Sequence, residues 1–332
     1  MDFFKNNTNR YYNNDIVLNL MSKYLLYIVK VFYKFSFRKY LKKISDLLDK
    51  NLSKKFTLVD IGAANGIHGR WNVISNRINT ILVEPHKESA KNLRLQGFDV
   101  IETVLHSEDD KEIKFYNTRK PMCSSFYKPN FNHLEKFLDK DRFEIVSEDT
   151  FSTKSLDSEI LKFTQPNFIK IDTEGSELDI LKGSKETLSN VFGLEVECSF
   201  FQLRENQPLF EEVRSYLESL DFIFIDFVSM IKWEKDNFRL SGGQPQVTDV
   251  LFLKNEEIII KKFHKNEISL DDLVNYFVIL ITYERVDILK YIYKKTEISL
   301  KYIEEIIEIL EIKKNKLNKL DQFQYHIENQ VL

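Results

Sequence analysis

Two groups of residues in this sequence have the types and spacing to do chemistry. The first is Val59-Asp60-Ile61-Gly62-Ala63-Ala64-Asn65-Gly66, a run of strand formers that ends in an acid and a small-residue turn. Glu84 ends the next such run, 22 residues after Gly62. Small residues let backbone approach a ligand without a Cβ clash, and a helix starting after them would aim free N–H groups at it. A dinucleotide fingerprint would read G-x-G-x-x-G, but Ala64 replaces its second glycine. A carboxylate at Glu84 suits a ribose diol, and so serves a nicotinamide dinucleotide and S-adenosylmethionine equally. Asp60 favours the second ligand, because a carboxylate repels a pyrophosphate and attracts an ammonium and a sulfonium. An Asp60 that only caps the turn is the plainer alternative.

The second group is a set of carboxylates at period two: Lys170, Asp172 and Glu174 along one apolar run, Glu195 and Glu197 along the next. Residues two apart on a strand share a face, so Asp172 and Glu197 would converge if the two strands are neighbours. Such a pair suits removal of a proton from a weakly acidic hydroxyl during an in-line displacement. Two mechanisms stay open. In one, Asp172 and Glu197, with Glu174 nearby, hold a divalent cation such as Mg that acidifies the hydroxyl. Self-repulsion among bare buried carboxylates favours that version. In the other, a carboxylate or a histidine, His68 or His106, is the general base unaided. The structural alternatives are Lys170 pairing across the sheet, Glu195 as its partner, and His68 as a solvent-facing helix-start residue. His133, His264 and His326 are expected at the surface.

The elements that must position these groups alternate. "FTLVDIG", "TILVEP" and "FDVIETVL" read as buried strands, with a helix-length segment between the first two and a helix, "HKESAKNLRLQG", closed by Gly97 before the third. That order implies a parallel sheet with right-handed crossovers. Residues 107–150 break the rhythm with a short strand, a loop, the helix "FNHLEKFLDK" and the strand "RFEIVSEDTF". Alternation resumes with the strand "NFIKIDTEG" and the helix "SELDILKGSKETLSN", whose first turn carries Glu177 at the positive end of its dipole. The strand "VFGLEVECSF", the helix "PLFEEVRSYLESLDF" and the strands "FIFIDFV" and "DVLFLK" complete about seven core strands, with "LSGGQPQVT" as a turn-rich connection. The expected fold class is α/β with a seven-stranded, mostly parallel Rossmann-like sheet over residues 52–255. Residues 1–51 form a basic amphipathic segment, and residues 256–332 a helical extension, with Ile303, Ile306, Ile307 and Leu310 on one face.

Bulk properties narrow the function classes. Net charge is −3, so no overall field favours nucleic acid. Cys123 and Cys198 lack metal-ligand spacing and read as isolated thiols of a reducing cytoplasm. The first residues lack the apolar h-region of a signal peptide. The segment that follows carries Lys23, Lys30, Lys34, Arg38, Lys39, Lys42 and Lys43 without an acid. It is expected to pack on the next domain, with peripheral contact at an anionic membrane face as the alternative. The C-terminal helices are expected to serve packing or self-association.

Four stretches together, "VDIGAANG", "LVEPHKESAKNL", "CSSFYKPN" and "FIKIDTEGSELDILKG", resemble the FkbM family of S-adenosylmethionine-dependent O-methyltransferases. The resemblance runs from about Thr57 to about Leu253 and takes in "TKSLD" and "TDVLFL". It implies a class I methyltransferase fold and an acceptor hydroxyl, often on the sugar of a glycan, polysaccharide or antibiotic. Carried over by position, Asp60, Gly62, Ala63, Asn65 and Gly66 would form the methionine-side pocket, and Glu84 would hold the ribose. Leu105, His106 and Ser107 would flank the adenine, and Ser124 and Ser125 match a serine pair of the family. A non-catalytic scaffold on the same fold and a nicotinamide oxidoreductase are the competing readings. A nucleic-acid amino-methyltransferase is disfavoured because "IDTEGSE" stands where its proline-rich motif would be.

Overall fold

The structure, a computed structural model, describes residues 39–63, 66–235 and 242–330, with side chains placed as far as Lys316. Helix α1 spans 39–51. Then follow β1 (Phe56–Ile61), β2 (Ile78–Val83), α2 (Lys87–Leu95), β3 (Asp99–Ile101), β4 (Val104–Leu105), β5 (Glu112–Thr118), α3 (Phe131–Leu134), β6 (Ile145–Lys154) and α4 (Leu156–Glu159). The second half holds β7 (Phe168–Ile171), α5 (Glu177–Lys182), α6 (Lys185–Asn190), β8 (Gly193–Ser199), α7 (Phe210–Glu218), β9 (Phe222–Phe227), β10 (Ile231–Trp233) and β11 (Gln244–Lys254). Helices α8 (Glu256–His264), α9 (Leu270–Thr282), α10 (Val286–Lys295) and α11 (Lys301–Gln330) close the chain.

Backbone contacts divide the described residues into two compact units, one within 53–71 and 77–280, the other within 39–52, 72–76 and 281–330. The first holds a sheet in the order β10-β11-β8-β7-β1-β2-β3, with β9 also on β11. The pairs among β3, β2, β1, β7 and β8 are parallel, and β11 is antiparallel to its neighbours. This is the α/β architecture expected. Parallel strands are covered on both faces, and β1 is buried at every position. One face carries Val59, Ile61, Ile169, Ile171, Leu194 and Val196 into a core shared with α5 and α7. The opposite face carries Asp60, Lys170 and Glu195 side by side in register. That unit runs on through α8 to Leu280, where Tyr276 lies edge-on to Phe192 and donates to the Lys254 carbonyl at 2.7 Å.

The second unit, by itself, buries Ile44 and Leu48 of α1, Leu289 and Ile292 of α10, and Ile303, Ile306, Ile307 and Leu310 of α11. The α11 stripe is the one its spacing predicts. Lys43 of α1 pairs with Glu305 of α11 at 2.6 Å. The aromatic part of the basic segment, before residue 39, lies outside the described residues. Among the described residues no helix is long and apolar enough to cross a membrane.

Several expected elements differ. The segment between β1 and β2 is a short 3-10 helix, Gly69–Ile74, anchored by Trp71 against Phe56 and Phe168 at ring distances of 5.3 and 5.1 Å. "FDVIETVL" is two strands, because β3 pairs with β2 while β4 leaves that sheet to pair with β6. "FNHLEKFLDK" makes one helical turn, α3. "SELDILKGSKETLSN" breaks at Gly183, where a Cβ would stand 2.1 Å from the His106 carbonyl oxygen. "QPQVT" belongs to β11. Pro245 fits there because its stretch of β11 pairs with β10 but not yet with β8, so no ladder donor is lost toward β8.

The Gly183 contact yields a test. Gly183→Ala must push the His106 backbone aside and should cost about 1–3 kcal/mol, read as a lower thermal midpoint, whereas an unchanged midpoint would contradict the contact.

Candidate active site

The turn after β1 is built by continuing the parallel ladder beyond its strands. Gly62 N–H donates to the Val83 carbonyl at 3.3 Å, Asp172 N–H to the Ile61 carbonyl at 3.0 Å, and Glu84 N–H to the Ile101 carbonyl at 3.1 Å. The ends of β1, β2, β3 and β7 are thereby tied together. Gly62 has φ +89°, and a Cβ there would lie 1.9 Å from the Asp172 carbonyl oxygen. Only glycine fits, so the turn after β1 rests directly on the turn after β7. Ala63 is buried with Leu82 and Leu93, Gly66 N–H donates to the Ala63 carbonyl at 2.9 Å, and Asn65 lies outside the described residues.

A cavity opens at these strand ends. Gly62, Glu84, Leu105 and Asp172, expected from the sequence, stand on its wall with His86, Thr103, Met122, Thr173 and Ser176. Phe115 and Phe126 also line it, their rings 4.8 Å apart. Glu84 is buried and accepts the His86 N–H at 2.8 Å through Oε1. The His106 ring turns instead toward Asp179, 3.8 Å from Nε2, and Ser107, 3.0 Å from Nδ1. Ser125 is a fastener rather than a wall residue: its hydroxyl donates to the Glu174 carbonyl at 2.7 Å and accepts the Tyr127 N–H at 3.0 Å. Ser124 Oγ accepts the Thr118 N–H at 3.0 Å.

Glu177 shapes the turn after β7. Buried at the first position of α5, its Oε1 accepts from Thr173 N–H, Thr173 Oγ1 and Gly175 N–H at 3.0, 3.1 and 3.0 Å. Those donors hold Glu174 at φ +59° and Gly175 at φ +120°, and Asp172 and Glu174 both border the cavity. Lys170 donates to Asp172 Oδ2 at 2.8 Å. Glu174 pairs with Arg204, which is fully buried and also donates to the Cys123 carbonyl at 3.2 Å. Strands β7 and β8 are neighbours with Ile171 opposite Val196, which sets Asp172 beside Glu197 as the period-two reading requires. Burial pushes the Glu197 carboxyl well above the usual carboxylate range, and Glu174 and Asp172 push it further.

The charged face below is compensated. Asp60 stands outside the cavity wall, buried in register with Lys170, and its Oδ1 has no hydrogen-bond partner among the described residues. Burial raises its pKa from 3.8 to about 7; Lys170 opposes the rise, and Asp172 and Glu195 add to it. Glu195 pairs with Arg70 at 2.6 Å, and Arg70 Nε donates to His68 Nδ1 at 2.9 Å. Neutral His68 must then carry its proton on Nε2. Burial lowers its pKa, and Arg70 lowers it further. His133 is half-buried rather than at the surface, stacked on Phe201 at 5.2 Å and within 2.8 Å of Gln246 Oε1.

A divalent cation does not fit this set. Asp172 and Glu174 already have the cationic partners Lys170 and Arg204. Among the described residues no three His, Cys, Asp or Glu side chains gather as metal ligands. Sequence reading missed Arg70, Arg204 and Ser176. The arginines carry no local signal, since their partners stand 125 and 30 residues away. Ser176 lies in the quoted "DTEGSE" but earned no role; it borders the cavity, and its buried hydroxyl has no partner among the described residues.

A parallel sheet with one antiparallel strand, a glycine turn after β1 and an acid ending β2 define a class I S-adenosylmethionine-dependent methyltransferase. A family model described as "Methyltransferase FkbM domain" matches residues 60–224, so that part of the chain is an FkbM methyltransferase domain. No curated protein matches the sequence. Among solved structures, the chain is similar to magnesium protoporphyrin IX methyltransferase from Synechocystis PCC 6803 with bound SAM, at 7% identity over 66% of this chain and 79% of that one, TM-score 0.33. A TehB-like SAM-dependent methyltransferase from Corynebacterium glutamicum matches at 9% identity over 64% and 88%, TM-score 0.31. A putative tRNA (m1A22) methyltransferase from Streptococcus pneumoniae matches at 13% over 83% and 96%, TM-score 0.30. Likenesses at these scores carry no argument about substrate.

Asp60 gives this site a pH signature. With its pKa raised to about 7, the group is largely protonated below that pH in the donor-free protein, and a bound cation favours its ionised form. Donor binding should therefore release a proton, and affinity should rise between pH 5 and 7, by at most about tenfold per unit. Asp60→Asn should flatten that slope. Calorimetric titrations of S-adenosylmethionine across this range decide, and a pH-independent wild-type affinity would remove Asp60 from donor binding.

Proposed function

We propose that this methyltransferase moves the methyl group of S-adenosylmethionine to a hydroxyl of a sugar, in a glycan, polysaccharide or nucleotide-sugar, with Asp172 as the proton acceptor. The observation that carries the reading is the place of Asp172. Asp172 borders the cavity that Gly62 and Glu84 also line, its carboxylate held by Lys170 at 2.8 Å and its backbone carbonyl the atom against which Gly62 rests.

The residues present fit the donor. Glu84 offers a buried carboxylate to a ribose diol, Phe115 and Phe126 offer ring faces to a base, and Gly62 leaves its turn bare of side chain. Asp60, with its unpartnered oxygen, supplies negative charge behind the turn. The bound donor supplies an electrophilic methyl on a cationic sulfur.

On the acceptor side, Lys170 fixes the Asp172 carboxylate in orientation. A sugar hydroxyl is a weak acid and gains from a base aligned with it during transfer. The neighbouring carboxyls serve differently. Glu197, raised by burial, is suited to hydrogen-bonding a second hydroxyl rather than to taking a proton. Glu174 is committed to Arg204. His68, with Nδ1 occupied by Arg70, presents an N–H donor rather than a free lone pair. The buried free thiols Cys123 and Cys198 suit a reducing cytoplasm.

Asp172→Asn should leave donor affinity within about twofold and lower kcat by about 10²–10⁴. The check is transfer of labelled methyl from S-adenosylmethionine to a panel of glycans and nucleotide-sugars. A variant that keeps most of its rate would move the chemistry elsewhere, and transfer to amines but not to sugars would overturn the acceptor class.

A further inference from the structure

At the opposite end of the sheet lies a second cavity. It is bounded by Thr57 at the start of β1, Asn167 and Phe192 just before β7 and β8, and by α8 and α9. Along β1 it is roughly 17 Å from Gly62, so it is not part of the methyl-transfer site. Four lysines line it, Lys54, Lys55, Lys254 and Lys262, against two acids, Glu267 and Asp272.

The acids are engaged elsewhere. Glu267 pairs with Lys265 at 3.8 Å, and Asp272 accepts from Ser269 N–H and Oγ at 2.9 and 2.7 Å. Lys54 faces Asp271 at 3.7 Å. Lys55 and Lys262 have no carboxylate partner among the described residues. Lys254 is buried, and its ammonium donates to the Leu220 carbonyl at 2.6 Å above the Phe222 ring at 3.9 Å, both neutral groups. Burial lowers its pKa to about 8; Asp221 opposes the drop and Lys262 adds to it. Asn275, 5% exposed, borders the same cavity and has no hydrogen-bond partner among the described residues.

Lys55, Lys254 and Lys262 share the cavity with no carboxylate bonded to any of them among the described residues and so repel one another, and the Asn275 amide is left to solvent. One oxyanion relieves both. We propose that this cavity binds a phosphate group, as the free ion or as a phosphomonoester, held by Lys254, Lys262, Lys55 and the Asn275 amide. Phosphate suits the site better than a carboxylate because it brings close to two negative charges and several acceptor oxygens to several cationic donors.

Calorimetry on the full chain at constant ionic strength tests this with inorganic phosphate, glucose 6-phosphate and acetate. Saturable binding of either phosphate is expected, the tighter one identifying the free ion or the ester. Lys262 is half-buried and tolerates replacement, so Lys262→Glu should weaken that binding about tenfold or more while S-adenosylmethionine binding is unchanged. The proposal is overturned if neither phosphate saturates, if acetate binds as tightly, or if Lys262→Glu binds phosphate like the wild type.

Discussion

The candidate active site depends on one backbone contact, the seat of Gly62 on the carbonyl of Asp172. Neither partner is a side chain, and no side chain can be inserted between them. The contact sets the turn after β1, the one proposed to meet the methyl donor, at a fixed distance from the turn that carries the acid. Glu177 makes it possible from below, because its carboxylate collects the N–H groups of Thr173 and Gly175 and so bends the chain sharply after β7. Burying that carboxylate is costly, as its raised pKa shows, and backbone hydrogen bonds offset the cost.

Electrostatic compensation is the second constraint. The sheet's polar face places Asp60, Lys170 and Glu195 in one row and Asp172 beside Glu197 at its end. Lys170, Arg70 and Arg204 are distributed among these acids so that no carboxylate cluster stands bare. The self-repulsion that suggested a cation from sequence is relieved by side-chain cations instead. Asp60 and Glu197 remain partly uncompensated, and their raised pKa values record it.

Much of this was legible in the sequence because it is local. Period-two carboxylates in two apolar runs place Asp172 beside Glu197 once those runs are adjacent strands, and the glycine turn after β1 announces a close approach. The helical stripe at Ile303, Ile306, Ile307 and Leu310 is likewise local. What escaped was set by distant partners. Arg70 meets Glu195 across 125 positions, the break at Gly183 is dictated by the His106 carbonyl, and β4 parts from β3 because β6 offers it a ladder. Only the fold brings the aromatics Phe115 and Phe126 to the cavity of Glu84.

The central claim, that the Gly62 turn and the Asp172 turn together frame the reacting methyl, is tested most directly by a crystal structure with S-adenosylhomocysteine. The account predicts ribose hydroxyls on Glu84 and the thioether sulfur beside Gly62, within reach of the Asp172 carboxylate. A nucleoside bound away from Glu84, or a sulfur on the far side of the turn from Asp172, would contradict it.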